Sequence, residues 1–439
     1  MSLFRIVGFI LLIASFGACS TSLNIGKAVR RTLLADSVLQ SSHVGVVFFD
    51  PSQQKEIFSY NGQHYFTPAS NTKIITCYAA MKLLGDSLPG LLYAKTDEGI
   101  YIRGTGDPTL LQEDYRQHPV LAFLRQQRSP LYLLSDNWHT PALGRGWSWE
   151  DYNESYMTER SAFPVYGNVL HWYQQRDTDG RAGFYSVPPS TWDTAQLAPQ
   201  EEQSFSVERD RDQNRFTIRP GKETSANQQV PFCTNGVSST VTLLRPLLGT
   251  SLIEVPANRL SSAPFTLLRS QPTDSLLRIM MFRSDNFFAD QSLLMVSQQL
   301  LGKMDEQRVI DTLLHSLLAD LPQQPVWVDG SGLSRYNLFS PRDIIRVLEK
   351  MQAEFPWSRL QTLFPTGGQG SLSNLYLQEK GAIYAKTGTL GGVVALSGYL
   401  QTRKGKWILF SILVNHHTGS AAHVRQLIQR CLRQARSRI

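Results

Sequence analysis

Residues 67–85 read TPASNTKIITCYAAMKLLG. Ile74, Ile75, Tyr78, Met81 and Leu84 recur at helical spacing, so a helix is expected here, with Ser70 as a candidate N-cap and Gly85 where a C-cap glycine belongs. Ser70 and Lys73 stand three apart, a spacing that puts both side chains on one helix face. A serine hydroxyl is a weak nucleophile at neutral pH and needs an adjacent base. No histidine is placed by any motif to serve, whereas the Lys73 amine is. Alone the pair says little, because a surface helix produces Ser-x-x-Lys by chance.

Two further motifs change its weight. Ser284-Asp285-Asn286 interrupts the helical pattern DSLLRIMMFRSDNFFADQSLLMVSQQLLG, and Lys386-Thr387-Gly388 lies in the β-rich run AIYAKTGTL beside Gly391 and Gly392. Glycines there let a substrate backbone approach closely. Singly, each motif is explained as a cap, a loop or a turn. In this order and in these contexts they match the motif set of penicillin-binding proteins and serine β-lactamases.

Outward from the motifs, HVGVVFFD and EIFSYN flank Pro51 and a polar turn, as a hairpin does. At the other end AIYAKTGTL, VVALSGYLQTR and KWILFSILVNH form three β-rich runs before a last amphipathic helix. Strands from both termini are expected to join in one antiparallel sheet under that helix. DEQRVIDTLLHSLLADL and PRDIIRVLEKMQAEF extend a helical subdomain. From about residue 95 to about 262 the texture turns to short strands and prolines, with FSVERDRDQNRFTIRPG a hairpin candidate. The expected class is α+β, a penicillin-binding or serine β-lactamase-like transpeptidase fold: an antiparallel sheet with flanking helices, a helical subdomain and inserted β-rich domains. Residues 25–94 and 263–439 are expected to form the catalytic domain and 95–262 the insertion.

The 439 residues exceed one ordinary core, and 42% hydrophobic with 18% charged residues describes a folded body rather than a disordered one. Arg5, an apolar run from Ile6 to Ala18 and then Cys19 read as a secretory signal, too short to span a bilayer comfortably. Gly17 and Ala18 before Cys19 resemble a bacterial lipoprotein cleavage box, so residues 1–19 are a signal with Cys19 as the lipidated N-terminus; simple cleavage near Ala18 is the alternative. The expected location is the periplasm, with a membrane reached only through that lipid anchor. Cys77, Cys233 and Cys431 show no metal or disulfide spacing, and no metal or other cofactor is expected. The net charge of +7 is diffuse; VRQLIQRCLRQARSRI reads as a solvated helix face, and nothing points to nucleic acid.

The chain resembles the D-alanyl-D-alanine carboxypeptidase/endopeptidase family typified by penicillin-binding protein 4, the low-molecular-mass class C enzymes, from about His43 to its end. Besides TPASNTK and KTGT, the resemblance rests on DGSGLSRYNLFSP (329–341), RGTGDPTL (103–110), GWSWEDYNESY (146–156) and the long interval between Lys73 and Ser284. It implies that the interval holds two nested domains, about 95–168 with 236–262, and about 169–235. It also implies peptidoglycan peptides as substrates and β-lactams as covalent ligands. Ser70 would attack the penultimate D-Ala carbonyl with Lys73 as base, its amine kept neutral by burial and by a cation such as Lys386. Ser284 would relay a proton to the leaving nitrogen, Asn286 would hold the substrate amide, and Lys386 with Thr387 the terminal carboxylate. The backbone N–H groups of Ser70 and Thr389 would take the oxyanion, with Gly388 shaping the strand between. Asp151, Tyr156 and Arg335 are implied to face the peptide's diamino acid, though Gly391 stands where some relatives carry a longer polar side chain.

Two other readings stay open at this point. A serine β-lactamase shares the motifs, but the interval between Lys73 and Ser284 is far longer than compact lactamases need. A catalytically silent wall-binding relative would keep the fold alone. Carboxypeptidase and endopeptidase action, which differ only in the leaving amine, are equally compatible with these residues.

Overall fold

A computed structural model of the chain describes residues 24–190, 192, 195–259 and 263–438. The expected signal and Cys19 lie outside the described residues.

His43–Asp50 and Lys55–Tyr60 form the expected hairpin, and His43–Asp50 pairs antiparallel with Trp407–Asn415 in the register His43 to Asn415. Val393–Gln401 and then Ile383–Leu390 continue the sheet antiparallel to its edge. Chain ends more than 300 residues apart thus share one five-stranded sheet, as expected. Along its inner strands the side chains alternate between two cores. Val394, Leu396, Ile408, Phe410 and Ile412 pack with Val424, Leu427, Ile428 and Cys431 of the terminal helix Ala421–Arg438. Ala395, Tyr399, Leu409 and Leu413 face the opposite way, onto Ile74, Ile75 and Tyr78 of the helix Thr72–Leu83 and Ile344 and Leu348 of the helix Pro341–Glu354. Burial on both faces explains why these strands read as continuous apolar runs.

Behind the Ser70 helix lie Thr273–Arg283 and Asn286–Leu301. The expected interruption falls at Ser284, whose φ of 63° is left-handed, and Asp285 restarts the helix by accepting a hydrogen bond from the Phe288 amide at 2.9 Å. Ser340 and Asp343 close a reciprocal capping box on Pro341–Glu354.

The middle of the chain builds a second five-stranded sheet, in the order Leu252–Glu254, Leu131–Leu134, Gly99–Gly104, Ser87–Thr96 and Thr266–Pro272, and two three-stranded sheets. Ser206–Arg209 and Phe216–Arg219 pair as the expected hairpin. Ser87–Thr96 pairs with Gly99–Gly104 and Thr266–Pro272, so the expected boundary at 94 falls inside a strand of this second sheet. The chain crosses from one sheet to the other near Asp86, whose carbonyl accepts from the Thr273 amide at 2.9 Å. A run such as SLPGLLYA suits either sheet by composition; its pairing with Gly99–Gly104 and with the distant Thr266–Pro272 assigns it.

Candidate active site

Ser70 occupies a single turn, Ala69–Asn71, that runs into the helix Thr72–Leu83. The N-cap position belongs to Asn71 rather than to Ser70, and no side chain caps the backbone there. The Ser70 hydroxyl is thereby left for Lys73. Gly85, with φ 74°, follows the C-cap residue Leu84 as expected. Ala69 is left-handed at φ 48°, an unfavourable state for a residue with a side chain. It is wedged in place: Thr72 Oγ1 donates to its carbonyl at 2.9 Å, and a Cβ on Gly332 would lie 1.9 Å from the same oxygen.

Lys73 is fully buried, with Nζ 2.9 Å from Ser70 Oγ, 2.7 Å from Asn286 Oδ1 and 2.7 Å from the Ser331 carbonyl. The last two oxygens can only accept. An ammonium donates to all three partners; a neutral amine keeps two N–H bonds for Asn286 and Ser331 and turns its lone pair to the Ser70 hydroxyl. Both protonation states therefore fit one geometry. Burial pulls the Lys73 pKa down to about 8, against the opposing charges of Asp290, Asp329 and Asp285. Of the two causes expected, burial is the operative one. The repulsion is instead felt at Lys386, whose pKa is driven well below the usual lysine value by burial and then by the charge on Lys73.

Lys386 Nζ donates to Ser284 Oγ at 2.8 Å and to the Thr387 carbonyl at 2.8 Å. Asn286 bridges the two halves of the molecule: Oδ1 accepts from Lys73, while Nδ2 donates to the Tyr156 carbonyl in the insertion at 2.9 Å. Nδ2 spends one of its two N–H donors on Tyr156, which leaves the other for a substrate carbonyl.

The strand Ile383–Leu390 reaches the site because Gly388 lacks a side chain. A Cβ there would stand 2.9 Å from the Pro68 carbonyl and 3.1 Å from the Ser70 nitrogen. Asn71 Nδ2 donates to the Lys386 carbonyl at 3.0 Å and ties turn to strand. Thr389 is exposed, and its Oγ1 accepts from Arg425 Nη2 of the terminal helix at 2.8 Å. Leu390 pairs with Val393, so Gly391 and Gly392 also make a tight hairpin turn.

The residues implied for the diamino acid fall in two places. Tyr156 is 45% exposed, and its hydroxyl is pushed up to about 12 by partial burial and by the adjacent Asp151 carboxylate. Arg335 Nη1 donates to the Gly391 carbonyl at 3.2 Å. The first pair joins the site through Asn286, the second through the hairpin beside Thr389.

Three residues that touch the site escaped the motif-based reading. Ser331 supplies its carbonyl to Lys73 from within the DGSGLS stretch. Asp290, one helical turn beyond Asn286, is fully buried, accepts from the Ser331 amide at 2.9 Å and has its pKa raised well above the ordinary range, chiefly by burial. Its i+4 relation to Asn286 was a usable signal. Arg425 had none.

Ser70, Lys73, Ser284, Asn286 and Lys386 thus converge at one place between an antiparallel sheet and a helical layer, which defines a serine acyl-transfer protein of the penicillin-binding class. The chain belongs to the D-Ala-D-Ala carboxypeptidase 3 (S13) family, a sequence model of which matches residues 27–435, and it is thereby a serine-type D-Ala-D-Ala carboxypeptidase. It is 27% identical to the D-alanyl-D-alanine carboxypeptidase of Actinomadura sp. (strain R39) over 89% of this chain and 80% of that protein. The crystal structure of penicillin-binding protein 4 from Haemophilus influenzae has the same fold, with a TM-score of 0.72 at 21% identity over 93% of this chain and 98% of that one. The same protein complexed with a β-lactam gives 0.68 at 20% identity over 94% and 99%.

Proposed function

We propose that Ser70 is the nucleophile of this carboxypeptidase, Lys73 its general base, and peptidoglycan stem peptides ending in D-Ala its substrates. The observation that carries this reading is the Lys73 amine 2.9 Å from Ser70 Oγ, with its other two hydrogen bonds ending on pure acceptors. The neutral amine takes the Ser70 proton as Oγ bonds to the carbonyl carbon of the penultimate D-Ala. The C–N bond then breaks, and the proton taken by Lys73 passes through Ser284, which Lys386 holds by hydrogen bond, to the leaving nitrogen, so that the Lys73 amine is neutral again. Water hydrolyses the resulting ester, with Lys73 accepting its proton.

The Ser70 and Thr389 backbone N–H groups are the oxyanion donors in this scheme, which the Gly388 contact favours. Lys386 and Thr387 take the terminal carboxylate, and Asp151, Tyr156 and Arg335 the diamino acid. Asn286 holds Lys73 in line and offers Nδ2 to the substrate amide. A β-lactam acylates the same serine, in keeping with the β-lactam complex of the Haemophilus relative. The catalytic body comprises residues 25–86 and 273–439, with 87–272 inserted and 169–235 nested within the insertion. Secretion with lipidation at Cys19 places this body in the periplasm.

A fluorescent penicillin tests the assignment. Wild type labels covalently and Ser70→Ala does not; label retained by Ser70→Ala discards the nucleophile. Release of free D-Ala or of a cross-linked amine from purified muropeptides separates carboxypeptidase from endopeptidase action.

A further inference from the structure

A cavity of about 290 Å³ opens between the insertion and the turn that carries Ser284. Leu111, Glu113, Tyr166, His171, Gln229 and Arg283 are among the residues that line it. Arg283 and Asp285, the neighbours of Ser284 on either side, both contribute to its wall, so the cavity adjoins the second catalytic motif.

Its backbone is strained. Leu111 and Tyr166 have φ of 58° and 54°. Left-handed geometry is rare for large side chains and persists only where surrounding bonds enforce it. Here the Tyr166 amide donates to the Leu110 carbonyl at 3.0 Å, and the Leu111 amide to His118 Nδ1 at 3.1 Å. Strain of this kind gathers at ligand clamps. Buried Val169, Phe287 and Phe288 supply apolar surface within. At the rim, Glu113 lies 3.6 Å from His171 Nδ1 and 3.5 Å from Gln229 Nε2, and Arg283 pairs with Asp114 and Asp285. Arg283 is thereby neutralised, and the Glu113 acid with imidazole and amide around an apolar interior suits a short peptide that carries an ammonium group. The volume, at the lower end of ligand pockets, suits a peptide segment better than a glycan strand.

We propose that this cavity is a subsite for the second stem peptide of a cross-linked wall substrate. An aliphatic side chain enters the apolar interior, and an ammonium meets Glu113 beside His171 and Gln229. The inference rests on the Ser70 reading and adds that part of the insertion selects cross-linked substrate over a lone stem.

The test compares the full-length protein with Glu113→Gln/His171→Ala and with Gln229→Ala, on a cross-linked peptide dimer and on a single stem peptide ending in D-Ala-D-Ala. Penicillin acylation reports the integrity of the Ser70 site in each variant. The expected result is kcat/KM for the dimer down about tenfold, the loss typical of a charge-assisted hydrogen bond, mainly through KM. The single stem and penicillin stay within about twofold. A dimer rate unchanged, or lowered no more than the single-stem rate, overturns the subsite. Failure of wild type to acylate overturns the Ser70 reading instead, so the two failures are distinguishable.

Discussion

Gly388 and Ser70 are packed backbone to backbone: a methyl group on the glycine would stand 3.1 Å from the serine nitrogen and 2.9 Å from the Pro68 carbonyl. Neither contact ends on a flexible side chain, so a larger residue must push the strand from the turn. Gly388→Ala is expected to slow penicillin acylation about 10²-fold, the cost of a misplaced oxyanion donor. Stopped-flow labelling measures it. An unchanged rate removes this strand from the list of groups that shape the oxyanion site.

The Lys73 pKa, lowered to about 8 by burial, sets a pH dependence. The neutral amine is the active form, and its fraction grows as pH rises. Acylation should therefore climb about tenfold per pH unit below this value and level off above it. Lys386, whose pKa burial also lowers, should weaken the hold on a substrate carboxylate as it loses its proton. A rate flat from pH 6 to 9 would exclude Lys73 as base.

Asn286→Asp places a carboxylate 2.7 Å from Lys73 Nζ, where the amide oxygen now accepts. An anion at that distance favours the ammonium, typically by about 1–3 pKa units. The rising limb of the acylation profile should move to higher pH by that interval. Asn286→Ala lacks the charge and should lower the rate without such a displacement. Superimposable profiles for Asp and wild type would contradict the coupling.

Arg425 and Lys386 belong to none of the ion pairs among the described residues, although both border the Thr387–Thr389 edge of the strand. That leaves the Arg425 guanidinium, and Lys386 in its ammonium form, for a substrate carboxylate. Arg425→Ala should raise KM for a D-Ala-D-Ala peptide about tenfold, and Arg425→Lys should restore part of the loss. A peptide amidated at its C-terminus should not discriminate the variants. Equal effects on both peptides would make Arg425 a structural residue only.

Arg160, fully buried, pairs with Glu306, also buried, and donates to the Pro141 carbonyl at 3.0 Å. Arg160→Met strands the Glu306 carboxylate in the interior, a change that typically costs about 3–5 kcal/mol. A clear fall in Tm is expected by calorimetry. Arg160→Met with Glu306→Leu together should recover part of it, since the uncompensated charge is then gone.

The motifs were legible because each is a short local pattern: a hydroxyl and an amine one helical turn apart, a polar break in a helix, a lysine on a glycine-flanked strand. The five-stranded sheet was legible as well, since His43–Asp50 and Trp407–Asn415 announce buried strands by apolar runs alone. The fate of Ser87–Thr96 was not, because its apolar residues fit either sheet. Likewise the arginine-rich terminal helix shows which face is polar, but spacing does not say that Arg425, among its arginines, reaches Thr389.

What the amino-acid order determined by itself is the chemistry available and the local shape of each segment that bears it, since helix spacing, capping and glycine freedom act over a few residues. Tertiary structure alone decided which carbonyl faces Lys73, how deeply that lysine is buried and which arginine borders the cleft. Burial and distance between segments hundreds of residues apart are sums over the whole packed chain, and no local pattern contains them.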